Sequence, residues 1–362
     1  MKKFLTLLVW LTVSVTFAQN VTFINPGRSD ETFWVMVSNF MQAAADDLSI
    51  NLEIIYSERD HVLMQKQAED VVNRTTPPDY MIIVNEKLVA PAMIQAAADK
   101  DVNVFMIINA LNDEQTAEYG TPGQYYSNWI GTIKPNNFSA GYLIAKQVID
   151  KSLSAGRFAP DGSLHLLGVT GDKSTPAAVE RTEGLLKAVS EYDNVKLLQV
   201  VPGHWNQSLV EEKTTWLLRR YPDIRAIWAA NDPMALGAMA GVNASSKVPG
   251  KDIYFGGLNW SGDALQEVRQ GAMVTTVGGH FMTAGWAMVV LYDHFRGFDF
   301  TEAEMTRASN QAFGVINASN VEGYLSALGD QDWSRIDFTQ FSKTQTPEYD
   351  FGLDAILDQF SN

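Results

Sequence analysis

Trp228-Ala229-Ala230-Asn231-Asp232-Pro233-Met234-Ala235-Leu236-Gly237-Ala238 is an apolar run that stops at an Asn-Asp pair and continues in helix-forming residues. It reads as a buried strand opening into a helix. Asp232 is placed to cap the first orphan N–H groups, and Pro233 suits the first turn. Asn231 is then left facing the crevice with a donor and an acceptor to offer. In open α/β sheets that edge, at the carboxyl ends of parallel strands, is where ligands bind. A plain strand-to-helix cap would look the same, so the run by itself leaves both readings open.

Outward from this run the alternation recurs. Residues 164–169, 195–201, 226–229, 253–255 and 274–277 read as strands, with helices at 177–192 and 209–221. An earlier block has strands at 21–24, 52–56, 81–84 and 104–108. Helices at 33–48, 61–73 and 88–100 separate them, the second capped by Asp60. Phe33, Val37, Phe40, Met41, Ala44 and Leu48 recur at helical spacing. Strands this uniformly apolar are buried on both faces, which marks a parallel sheet. The fold class is therefore α/β, with two doubly wound parallel-sheet domains joined by a multi-strand hinge.

The polar stretch 112–126 reads as a long surface loop leading to a first crossing near 129–132. A helix at 284–295 returns to the first domain, and 313–316 crosses back. One lobe is expected over 20–131 plus 281–312, the other over 132–280 plus 313–330. The tail, 331–362, carries Trp333, Phe338, Phe341, Tyr349, Phe351 and Phe360. So many aromatics predict a tail packed on the body rather than a free linker.

Lys2 and Lys3 precede an apolar stretch over 4–15 and a small-residue site at Thr16-Phe17-Ala18. Residues 1–18 read as a cleavable secretory signal peptide, with the mature chain starting near Gln19. The 362 residues include no cysteine. That excludes a lipoprotein anchor, disulfides and thiolate metal sites, and points to the periplasm. The net charge is −15, or −17 with 25 basic and 42 acidic residues once Lys2 and Lys3 are gone. Such a balance excludes nucleic acid and anionic membrane as partners.

Enzyme chemistry finds no support: there is no Gly-x-Ser-x-Gly elbow. His61, His165, His204, His280 and His294 lack metal-ligand spacing. The stretch Gly168-Val169-Thr170-Gly171-Asp172-Lys173-Ser174 has the wrong glycine spacing for a phosphate loop, and Asp172 would repel phosphate. No cofactor or metal is expected.

From 21 to about 316 the chain resembles the type I periplasmic binding proteins of the ribose-binding class. The run at Asn231 is similar to their "QNDEMALGA". Ala177-Ala178-Val179-Glu180-Arg181-Thr182-Glu183-Gly184 resembles "AARERGEGF", and Gly256-Gly257-Leu258-Asn259-Trp260-Ser261-Gly262-Asp263 resembles "GFDGTPD". The resemblance implies a clamshell closing on a small polar ligand. It implies ligand contacts at Arg181, Trp205 and Asn231, stacking by Phe33 and Trp34, and further contacts at Asn85, Asn109, Asn259 and His280. An aromatic face suits the C–H face of a sugar, and amides and guanidinium suit its hydroxyls. One of Phe33 and Trp34 is expected in the helix core instead, and the less favoured reading of Arg181 is a surface partner on its helix.

Two departures stand out. Many sugar binders of this class carry Asp-Arg where this chain has Asn109-Ala110, and an Asp where it has Asn259. An amide-lined site with Arg181, and Arg28 as a second candidate, suits a sugar, polyol, sugar acid or autoinducer-2-like ligand. Transport implies an inner-membrane ABC permease as partner. The alternative is a receptor that regulates a membrane sensor kinase or cyclic-dinucleotide enzyme, and the extra aromatic tail favours it by offering added surface; under either reading a monomer is expected. A repressor of the same fold is disfavoured by the signal peptide.

Overall fold

The computed structural model describes residues 19–360, so the signal-peptide segment 1–18 lies outside the described residues. The first block is β1 (Asn20–Asn25), α1 (Thr32–Asp47), β2 (Asn51–Tyr56), α2 (His61–Val72), β3 (Tyr80–Ile83), α3 (Ala90–Ala98), β4 (Asn103–Ile107), α4 (Asp113–Tyr119) and β5 (Trp129–Ile133). Its strands form an all-parallel sheet in the order β2-β1-β3-β4-β5. Asp60 caps α2 by accepting from the N–H groups of Val62 and Leu63.

The second block is α5 (Asn137–Ser154), β6 (Leu164–Thr170), α6 (Pro176–Val189), β7 (Val195–Pro202), α7 (Gln207–Arg220), β8 (Ala226–Ala229), α8 (Asp232–Asn243), β9 (Tyr254–Leu258), α9 (Gly262–Gln270) and β10 (Thr275–Gly278). Then follow α10 (Thr283–Phe295), α11 (Glu302–Gln311), β11 (Gly314–Asn317), α12 (Val321–Leu328) and the short α13 (Leu353–Leu357). The second sheet runs β11-β10-β9-β8-β6-β7. It is parallel except for β11, which pairs antiparallel with β10.

In each sheet the strand order reverses once, around β1 and around β6, so each has a switch point that opens a crevice at the carboxyl ends. The chain passes between the sheets after β5, after β10 and between α11 and β11. Helix α10 packs on α1, and α11 packs against β5.

Helices α4, α5, α11, α12 and α13 were not read from the sequence. The expected loop 112–126 contains α4, which starts with a full capping box: Asn112 accepts from the N–H of Gln115, and Gln115 reaches back. That Asn-x-x-Gln signal was present in the sequence. Helix α5 fills the interval between β5 and β6 with Ala140, Ile144, Ala145, Val148 and Ile149 on its buried face.

The tail makes a fourth passage. Tyr324 of α12 lies against Trp260, with ring centroids 5.1 Å apart, beside the second sheet. Trp333 then inserts between Phe40 of α1 and Phe281. Beyond it Phe338, Phe341 and Phe351 gather around Trp286 of α10. Buried Asp293 accepts from Ser342 Oγ, Lys343 N and Tyr349 Oη, pinning this segment to α10. These aromatics face inward, so they add no docking surface, and the reason for preferring the receptor alternative falls away.

Candidate functional site

A cavity of about 50 Å3 lies between the sheets, smaller than the ~300–1,000 Å3 of drug-sized sites. Its walls come from residues just beyond parallel-strand carboxyl ends. Arg59 follows β2, Glu86 β3, Asn109 β4, Thr175 β6, Trp205 β7, Asn231 β8, Asn259 β9 and His280 β10. Phe33 and Trp34 enter from the first turn of α1, and Arg181 from α6. Backbone angles at the walls are unusual: Arg59 (φ 64°), Ile108 (φ 67°), Trp205 (φ 60°) and Asn259 (φ 147°) all have positive φ. Such conformations cost ~1–3 kcal/mol each and gather where a site needs a side chain aimed.

Of the residues singled out from sequence, Phe33, Trp34, Asn109, Arg181, Trp205, Asn231, Asn259 and His280 line this one cavity. Asn85 does not line it. Its Nδ2 donates to Ala110 O and Gln115 Oε1, and its Oδ1 accepts from the Ala90 N–H. The amide is used up joining the start of α3 to the loop before α4, and it has no exposed surface. Arg28 also lies elsewhere, exposed and paired with Asp30.

The capping assignment is reversed as well. Asn231 is the N-cap of α8, its Oδ1 accepting from Met234 N at 3.0 Å. Asp232 points away from the helix start and accepts from Ser261 N, Ser261 Oγ and Thr276 Oγ1. Burial pushes its carboxyl up to about 6. Asn231 therefore has two roles, with only Nδ2 free toward the cavity. Asn231→Ala is expected to lose about 1 kcal/mol of stability without ligand, by urea titration. Asn231→Asp keeps the cap acceptor, so it should retain that stability while weakening ligand binding. Equal stability losses in both variants would show that the cap is not what Asn231 supplies.

Sequence reading missed the charged group on the opposite wall. Arg59 Nε and Nη2 hold both carboxylate oxygens of Glu31, and Nη1 reaches Glu86 Oε1 at 2.9 Å. Arg59 also lies over the Trp34 ring, 5.8 Å from its centroid. Burial raises the Glu86 carboxyl, with Arg59 opposing. At the mouth, Lys87 and Asp172 face each other across the cleft at 3.9 Å.

His280 is 2% exposed and sandwiched between Phe33 (4.6 Å, 17° between planes) and Phe313 (4.8 Å). Its Nε2 faces Arg181 Nη2 at 3.5 Å. A guanidinium only donates, so Nε2 accepts and Nδ1 carries the proton. Burial, then Arg181, hold the imidazole well below its usual value, hence neutral. Unfolded, it titrates near ~6.5. A base depressed in the folded state contributes stability above that pH and loses it as pH falls. The loss approaches ~1.4 kcal/mol per pH unit below ~6.5. Between ~4 and ~6 Asp232, raised on folding, changes in the opposite sense and offsets part of it. His280→Gln should therefore flatten the acid side of the stability profile, read from urea titrations at several pH values. An unchanged slope would mean that His280 is protonated in the fold.

Three buried polar atoms of the lining have no partner among the described residues: Trp34 Nε1, Asn109 Oδ1 and His280 Nδ1. They are two donors and one acceptor, on residues that share the cavity lining with Phe33 and Trp205. Such atoms are costly to bury unless something fills their hydrogen bonds. No group of acidic or histidine side chains among the described residues is arranged to hold a metal ion.

Two parallel-sheet lobes facing a buried polar cavity across several passages of the chain make a clamshell binding fold. A family model described as periplasmic binding protein domain matches residues 21–297, and the chain belongs to that family, in its type I, ribose-binding-like form. The ribose import binding protein of Haemophilus influenzae is 25% identical over 288 residues, covering 80% of this chain and 89% of that protein. The D-allose-binding periplasmic protein of Escherichia coli is 25% identical over 249 residues, covering 68% and 74%. A crystal structure of a periplasmic sugar-binding protein from Pseudomonas fluorescens superposes with a TM-score of 0.81 at 35% identity, covering 94% of this chain and 99% of that chain.

Proposed function

We propose that this chain is a periplasmic solute-binding protein that closes on a small polar, sugar-like ligand and presents it to an inner-membrane ABC importer. The observation that carries this reading is a cavity with aromatic walls whose lining residues Trp34, Asn109 and His280 each hold a buried polar atom without a partner among the described residues. A monosaccharide supplies hydroxyls that both donate and accept, and a C–H face for Phe33 or Trp205. Relatives named for ribose and D-allose support the ligand class. A solved structure of the binding component of an arabinose ABC transporter, with the same fold, supports the importer as partner.

The ligand contacts we assign are Phe33, Trp34, Asn109, Arg181, Trp205, Asn231, Asn259 and His280, joined by Arg59 and Glu86. The lobes they close are 20–131 with 281–312 and 132–280 with 313–330. Closure follows from ligand touching both walls, since only the closed state offers all contacts at once. The Lys87–Asp172 pair adds a screened attraction at the mouth.

The test is a thermal-shift panel on refolded, ligand-stripped protein with pentoses, hexoses, polyols, sugar acids and autoinducer-2. A ligand at ~100 times its dissociation constant stabilises by ~2.7 kcal/mol, a shift easily read. A shift with any sugar-like compound is the expected result. A shift with none of them removes the proposal, and a shift with autoinducer-2 alone would replace transport with sensing.

A further inference from the structure

Arg181 is a buried cation with no anion in contact. It is 4% exposed. Its Nε donates to Asn137 Oδ1 at 2.9 Å, its Nη1 to Ala230 O at 2.8 Å, and its Nη2 faces His280 Nε2 at 3.5 Å. All three acceptors are neutral. No carboxylate among the described residues makes a salt bridge with it. The two nearby acids are engaged elsewhere: Glu180 pairs with Lys134 at 2.7 Å, and Asp232 takes its hydrogen bonds from Ser261 and Thr276. The contrast with Arg59 is direct, since that guanidinium is closed off by Glu31 and Glu86. Desolvation pulls the Arg181 guanidinium down to about 9, which reflects how poorly the protein alone compensates its charge.

A guanidinium has five N–H groups. Three are directed at Asn137, Ala230 and His280, which leaves one N–H on each terminal nitrogen without an acceptor among the described residues. Arg181 shares the cavity lining with Asn231, Asn259 and Trp205, whose ring centroid is 5.8 Å from Arg181 Cζ. The far wall has the opposite character, with two carboxylates on one arginine. An anion entering this cavity is therefore directed to the Arg181 end, and hydroxyl donors to the Glu86 end.

We propose that the ligand is a sugar acid of monosaccharide size: its carboxylate sits on Arg181 and its hydroxyls on the amides of Asn109, Asn231 and Asn259. This rests on the reading of the cavity as a site for sugar-like solutes. One negative charge matches the one uncompensated cation, whereas a doubly charged phosphate ester would bring a second charge that no group there answers. A neutral sugar would leave buried Arg181 with only the through-space attraction of Glu180 and Asp232 and no carboxylate on its N–H groups.

The test is calorimetric titration of refolded, ligand-stripped protein with D-gluconate, D-galacturonate and D-ribonate, each beside its neutral parent sugar and, for the best binder, its primary amide. At least one acid should bind about 100-fold more tightly than its neutral parent, and the amide should lose that gain. The amide comparison uses the unaltered protein, so it stands even if Arg181→Gln fails to fold. Where that variant folds, it should lose about 100-fold for the acid and less than about tenfold for the neutral sugar. Neutral sugars binding as tightly as the acids would overturn the proposal and leave the sugar-binding reading standing. Binding by neither class would overturn the proposal, and the sugar-binding reading with it only if the wider thermal-shift panel is also silent.

Discussion

Trp286→Ala is expected to lower the unfolding free energy by about 3–5 kcal/mol, the largest stability loss among the substitutions considered. Trp286 is 1% exposed at the centre of the joint between α1, α10 and the tail. Phe351 stacks on it at 4.7 Å and 7°, Phe341 lies at 4.9 Å, and Phe40 meets it edge-on at 5.6 Å. Alanine would leave a cavity between elements far apart in sequence, which cannot collapse without moving α10. Since a domain's stability is only ~5–15 kcal/mol, the tail should also open first. Limited proteolysis should therefore cut beyond α12 in the variant and not in the parent. Trp286→Phe is the control. The indole N–H has no acceptor among the described residues, so replacing it removes an unsatisfied buried donor along with some volume. It should lose much less. A Trp286→Ala protein melting with its parent would show that the tail packing contributes nothing.

Gly171→Ala is expected to act on binding. A Cβ at Gly171 would stand 2.1 Å from Cη2 and Cζ2 of Trp205, so the indole or the loop after β6 must move. The indole has little freedom, because Trp205 already sits at φ 60° and its ring lies beside Arg181. Overpacking of this kind costs ~1–3 kcal/mol, and here the displaced atoms are cavity wall. Affinity for whichever sugar or sugar acid binds the parent should fall by at least about tenfold. Trp205→Ala should weaken binding too. Combined with it, Gly171→Ala should lose most of its destabilising effect, because the clash no longer exists. The stability effects are thus expected to be strongly non-additive, as for residues in contact. Additive losses would mean that Gly171 and Trp205 act independently.

Asn85 and Glu86 show why the site was only partly legible. They are adjacent, and the sequence pointed to the amide. The structure turns the amide inward, to Ala110 and Gln115, and the carboxylate toward the cavity. The tight turn there, with Lys87 at φ 48°, reverses the side on which successive residues fall. The group of Arg59, Glu31 and Glu86 was equally hidden. Its members follow three different strands and are 27 and 28 residues from Arg59, so each looked like an ordinary surface charge. Only the sheet order β2-β1-β3 brings those three loops together.

The sequence by itself determined the alternation of apolar strands and amphipathic helices, and hence two parallel sheets with a crevice at their carboxyl ends. Those features depend on local periodicity, which each segment carries in its own residues. It also named most of the lining, because residues just past a parallel strand face that crevice whatever the rest of the chain does. The tertiary structure alone decided which of two neighbouring polar residues faces in, and that Asn231, not Asp232, caps α8. It alone decided that Arg59 is closed off by carboxylates while Arg181 is not. Those outcomes depend on charge pairing and packing between segments distant in sequence, and no local pattern records that.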